Sequence, residues 1–136
     1  MNQLDALFAF NTQALTLRAE RSQVLASNIV NSDTPGYQAR DFDFAAALKQ
    51  AMMEQPQADG PLAATAARHL QPGAVAGRLP DGTPLLYRTV SQPSADGNTV
   101  DLDVERAQFS DNAVHFEANL TFISSQIKTM LAALQG

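Results

Sequence analysis

The chain has 136 residues, a net charge of −5, and neither cysteine nor tryptophan. That length suits one domain with a modest core, and 45% hydrophobic content argues against wholesale disorder. Its nine Lys and Arg residues are scattered, so the electrostatic footprint of a nucleic-acid binder or of a protein docking directly on anionic lipid is missing.

The start, Met1-Asn2-Gln3-Leu4-Asp5, has no basic region followed by an apolar core, so no cleaved signal peptide is expected. No run approaches the roughly 18 apolar residues of a membrane span. If the protein is exported, the expected route reads the mature chain. The absence of cysteine leaves no disulfide framework and no thiolate chemistry.

Residues 2–31 read as one long helix. Leu4, Phe8, Leu15, Leu25 and Ile29 fall on one stripe, and Leu7, Phe10, Ala14, Leu17 and Val24 on a neighbouring one. Asn11, Arg18 and Ser22 interrupt the pattern. At roughly 1.5 Å per residue the helix would be about 45 Å long.

It stops at Asn28-Ile29-Val30-Asn31-Ser32-Asp33-Thr34-Pro35-Gly36-Tyr37. Asn31 either takes a left-handed cap conformation or bonds to freed carbonyls. Thr34 precedes proline and is pushed to extended backbone. Pro35-Gly36 suits the centre of a type II turn, after which Tyr37 can pack back onto the helix. Asn28 and Asn31 both read as capping residues.

Next, Asp41 or Asp43 is placed to cap a short helix whose Phe44, Leu48 and Met52 share a face, ending before Pro56. From Pro56 to Gly97 the chain carries six of its seven prolines and five of its seven glycines, which excludes long helices. Leu85-Leu86-Tyr87-Arg88-Thr89-Val90, after Asp81-Gly82-Thr83-Pro84, is the best strand candidate.

The last segment, about Asp101 to Leu134, carries the cleanest pattern. Phe109, Ala113, Phe116, Leu120, Ile123, Ile127, Met130 and Leu134 alternate spacings of four and three, the seam of helices that wrap around one another. Asp101, Asp103 and Glu105 set negative charge at its start and Lys128 lies toward its end, both complementing the helix dipole. The expected fold is therefore mainly α. Long terminal helices pair as a coiled-coil-like bundle around a small loop-rich middle with a few short strands. The boundaries are 1–34, 35–100 and 101–136. The middle is too small to cover both apolar stripes, so the helices must cover each other or be covered by neighbouring copies.

The junction string resembles the N-terminal signature of the flagellar rod and hook family of axial proteins. Val30 stands where that signature usually has a smaller residue. Gln38-Ala39-Arg40-Asp41-Phe42-Asp43-Phe44 is similar to the continuation in the B-type proximal rod proteins. So are Asp96-Gly97-Asn98-Thr99-Val100-Asp101-Leu102-Asp103 and Gln126-Ile127-Lys128-Thr129-Met130. The motif positions are Asn28, Ile29, Asn31, Thr34, Pro35, Gly36 and Tyr37.

The resemblance implies a self-assembling structural subunit of the proximal rod in the flagellar basal body, set in the periplasm. Such a rod is a helical tube that transmits torque and surrounds the export channel. Implied partners are copies of itself, other rod proteins, the MS-ring protein, the ring–rod junction protein and the export gate. Export by the flagellar type III apparatus fits the missing signal. The seam from Phe109 to Leu134 then becomes the assembly seam. The alternative is a helical adaptor or export chaperone that binds one partner through the same heptad face.

No catalytic, cofactor or metal site is expected. His69 and His115 lie far apart without a ligand pattern. Asp101, Asp103 and Glu105 lack the order of a calcium loop. Neither a phosphate-binding glycine loop nor a nucleophile elbow occurs.

Overall fold

The computed structural model describes residues 3–53, 77–80, 82–89 and 94–135, with side chains from residue 6 onward. Two long helices, α1 (Gln3–Val30) and α3 (Leu102–Gln135), dominate it. They run antiparallel, since Asn11 meets Gln126 near one end and Asn28 meets Glu105 near the other. Between them in sequence lie β1 (Arg40–Asp41), α2 (Phe44–Met53) and β2 (Leu86–Tyr87). The two strands pair antiparallel, with Arg40 opposite Tyr87 and Asp41 opposite Leu86. The fold is thus mainly helical, with long terminal helices packed together and a small middle region carrying two short strands. Most of the proline-rich middle, together with Val90 of the strand candidate, lies outside the described residues.

Local chemistry sets each boundary. The Asp43 side chain accepts from the Ala46 N–H and its carbonyl from the Ala47 N–H, so Asp43 is the N-cap of α2. Asp41, the other candidate, is committed elsewhere. Asp101 caps α3 through the N–H groups of Asp103 and Val104. Because α3 continues to Gln135, Lys128 sits about two turns short of its end, and the last turn holds no basic residue.

The small core lies where α1, β1, α2 and the segments 77–80 and 82–85 meet. Leu17, Phe42, Ala47 and Leu79 are buried there, with Val24, Phe44, Leu48 and Leu85 packed around them. On α2 the most buried face belongs to Ala47, between Phe44 and Leu48. The two segments join through the Leu79 and Leu85 N–H groups, which donate to the Thr83 and Gly77 carbonyls. This core covers α1 from its middle, at Leu17, toward Val24 on the Val30 side. Toward the other end, Leu7 and Phe10 are exposed.

Candidate functional site

The junction after α1 is a type II turn. The Tyr37 N–H donates to the Thr34 carbonyl, and Gly36 takes φ +70°, the positive value this turn requires of its third residue. Asn31 donates from Nδ2 to the Ser27 carbonyl (2.8 Å) and accepts from the Thr34 hydroxyl, so of its two options it takes the carbonyl bond. Tyr37 packs back, its hydroxyl 3.3 Å from Asn28 Oδ1 and 3.2 Å from Ser27 Oγ. Ile29 is half-buried, whereas Val30 is 81% exposed, so its larger side chain crowds nothing within the subunit.

This turn rests on the segment that precedes α3. Asn98 is buried and points Nδ2 at three carbonyls, of Asn31, Ser32 and Thr34, at 2.8–3.0 Å. The helix end left without intrahelical partners is therefore capped from about 65 residues away. The Gly36 N–H donates to the Asp96 carbonyl, and a Cβ on Gly97 would lie 3.7 Å from Gly36 Cα. The two motif strings are thus two halves of one joint. An Asn98→Ala variant is expected to lose about 1–3 kcal/mol, visible as a lower urea midpoint at unchanged slope.

Beneath the joint lies a charge network. Arg21 grips Asp41 with two bonds (3.1 and 2.8 Å) and reaches Gln108 at 3.0 Å. Arg88 bridges Asp41 (2.7 Å) and Glu105 (2.8 Å). Glu105, fully buried, also accepts from Asn28 Nδ2 at 3.1 Å. Asn28 is fully buried too; it donates to the Arg40 carbonyl and accepts from the Arg40 N–H. The expectation that Asn28 caps α1 is corrected: it lies within the last turn of the helix, two residues before Val30, and its side chain ties α1 to β1 and α3. The charged start of α3 divides likewise. Asp101 serves the helix end, whereas Glu105 serves the network.

The network sets the ionisation of its members. Burial pushes the Asp41 carboxyl up, but the bonds from Arg21, the Phe42 N–H and Arg88 outweigh it and hold the group below its ordinary range. The bond to Asp41 raises Arg21 despite burial. Burial and the like charge of Arg21 lower Arg18, whose guanidinium lies 4.0 Å from the centre of the Phe44 ring.

A depressed carboxyl stabilises the fold fully above the ordinary aspartate pKa of about 3.9. That contribution is lost as pH falls through the lower folded value. The stability gap between the natural chain and Asp41→Asn is therefore expected to be widest near neutral pH. It should close on acidification below about pH 4, which urea titrations across that range would show.

Along the helix pair, polar residues bond across the contact. Asn112, fully buried, donates to the Arg18 carbonyl and Ser22 Oγ, both at 2.8 Å, and accepts from Arg18. Asn11, 3% exposed, reaches Gln126 at 3.4 Å. Glu105, Asn112, Asn119 and Gln126 recur at every seventh position of α3. The polar residues that interrupt the α1 stripes, Asn11, Arg18 and Ser22, are the ones that meet this row.

The apolar seam lies beside the row, and burial falls away across it. Four places after each polar residue come Phe109, Phe116, Ile123 and Met130; Phe109 is 38% exposed and the other three are half-buried. Eight places after come Ala113, Leu120, Ile127 and Leu134, all exposed, Leu134 to 84%. A shallow groove of about 230 Å³ opens between the free ends of the helices, lined by Leu7, Phe8, Phe122, Gln126 and Met130 among others. Among the remaining sequence candidates, His115 is exposed beside Asp111, and His69 lies outside the described residues. Asp41, Arg88, Glu105 and Asn98 were not foreseen as one assembly, since nothing in their spacing marks it. The seven-residue period of the polar row was readable.

Known proteins match the sequence of this chain along its whole length. The family model for the flagella basal body rod protein matches residues 9–38, which span most of α1 and the turn. The flagellar basal body rod protein FlgB of Salmonella typhimurium strain LT2 is 48% identical, over 100% of this chain and 98% of its own. FlgB of Escherichia coli K12 is 47% identical over the same shares, and FlgB of Yersinia enterocolitica 46% over 99% and 98%. An identity of that level along the full length means that the chain belongs to the FlgB family of flagellar basal body rod proteins.

Proposed function

We propose that this chain is a structural subunit of the proximal rod that self-assembles, with other rod proteins, into a helical tube. One observation carries the reading. α3 is tied firmly along one side, while its neighbouring apolar side stays open over several turns, with Leu120 42% and Ile127 44% exposed. An apolar surface of that extent marks an interaction face. If it meets a different face on each neighbour, the contacts do not close into a ring and a tube grows.

In this reading the rod stands in the periplasm, transmits torque and surrounds the export channel. The subunit's neighbours are copies of itself, other rod proteins, the MS-ring protein, the ring–rod junction protein and the export gate. No helix of the described residues is long and apolar enough to cross a membrane, so the tie to the ring runs through protein.

Electron microscopy of basal bodies from cells lacking the gene tests this. Rings that survive without rods, with a tagged copy at the rod base, are the expected result. Intact rods would overturn the reading and favour an adaptor that binds one partner through the heptad face.

A further inference from the structure

The two most deeply buried residues of α3, Glu105 and Asn112, are polar, while the apolar Phe116, Ile123 and Met130 beside that row are only half-buried, which is the reverse of what hydrophobic burial alone would choose. A step of four residues turns an α-helix by about 40°. A rotation of α3 by that amount would bring Phe109, Phe116, Ile123 and Met130 to where Glu105, Asn112, Asn119 and Gln126 now lie. Apolar burial favours that rotation. We propose that this polar row, buried at Glu105 and Asn112 and half-buried at Asn119 and Gln126, is a rotational lock. It holds α3 against α1 at one angle and so determines which apolar side chains are left for neighbouring subunits.

The bonds supply the mechanism. Asn112 satisfies both ends of its amide at once, through the Arg18 guanidinium, the Arg18 carbonyl and the Ser22 hydroxyl. Glu105 has Arg88 on one oxygen and Asn28 on the other. After the rotation these groups would leave their partners while those partners stayed buried, and a buried polar group without a bond is costly. A polar residue in a helix seam is known to set alignment at the expense of stability. Here three contacts, Asn11–Gln126, Arg18–Asn112 and Asn28–Glu105, are spread along the pair, so all must break together. The geometry of the lock stands alone. Its purpose, keeping the Leu120 and Ile127 side free, rests on the assembly reading above.

The natural chain has no cysteine, so a single introduced thiol reports its own exposure. The test uses the full-length free subunit carrying Ile127→Cys, labelled with a maleimide, with and without Asn112→Leu. Control chains carry Val114→Cys, on the solvent side at 68% exposure. Asn112→Leu is expected to slow labelling at Ile127→Cys roughly tenfold, as burial in a stable element does, and to leave Val114→Cys unchanged. If circular dichroism shows that Asn112→Leu does not fold, Asn11→Leu with Gln126→Leu at the other end decides by the same readout. Unchanged labelling of Ile127→Cys in a folded variant overturns the lock. Because no rod is present in this assay, that result would leave the assembly reading untouched. Failure of the assembly reading, conversely, would show only as intact rods in cells.

Discussion

Replacing Arg88 with alanine is expected to cost about 3–5 kcal/mol, the loss typical when one partner of a buried ion pair is removed. Arg88 is the only link between Asp41 and Glu105 among the described ion pairs. Asp41 keeps Arg21 after the change. Glu105 keeps only the amide of Asn28, and its side chain has no exposure with which to recruit water. The uncompensated charge therefore sits at the contact between α1 and α3. Arg88→Met removes the same charge while keeping most of the packing, so it separates electrostatics from volume. A double-mutant cycle with Glu105→Gln, read by urea unfolding, should recover much of the loss if the buried carboxylate is its cause. Equal, additive losses from the two changes would refute that account.

The second large effect concerns assembly and should leave folding nearly alone. Leu120→Asp and Ile127→Asp place a charge on side chains that are 42% and 44% exposed in the subunit. Surface changes of this kind usually move stability by less than about 0.5 kcal/mol. In a rod the same carboxylate would enter a dry interface, where an unpaired charge is very unfavourable. Cells carrying either variant are expected to be non-motile and rodless, while the purified subunit unfolds within about 0.5 kcal/mol of the natural chain. Normal swimming would exclude this side of α3 from the interface. A collapse in subunit stability would mean that the side is already covered within the subunit.

The two cases show what the chain makes legible. Both long helices and the type II turn follow from local rules, because periodicity, proline and glycine act over a few residues. The cap of α2 was narrowed to Asp41 or Asp43 on the same grounds, and the structure selects Asp43. The heptad seam on α3 announces a helix that must be covered, yet its period is the same whether a partner helix or another subunit does the covering. Rotation of the helix is set by Asn112 and Glu105, and their partners Arg18, Ser22, Asn28 and Arg88 are distant in sequence. Asn28 was readable as a polar residue near a helix end, but its bond to Glu105 spans 77 positions. Such pairings leave no local trace, so the joint between the two motif strings became visible only in three dimensions.

The span of those pairings also bears on how the chain matures. Helices grow from neighbouring residues within about a microsecond, whereas closing the contacts from Arg21 to Gln108 and from Asn28 to Glu105 requires loops of 87 and 77 residues. Contacts of that range slow folding. A ribosome-bound chain that has not yet exposed Glu105 holds two arginines, Arg21 and Arg88, against the single carboxylate of Asp41. Its charge network lacks the second carboxylate that Arg88 bridges to, although the bonds of Asn98 and Asn28 to the junction backbone need only residues already made. The charge network of this subunit is therefore completed late in synthesis, when the last third of the chain delivers the missing acid.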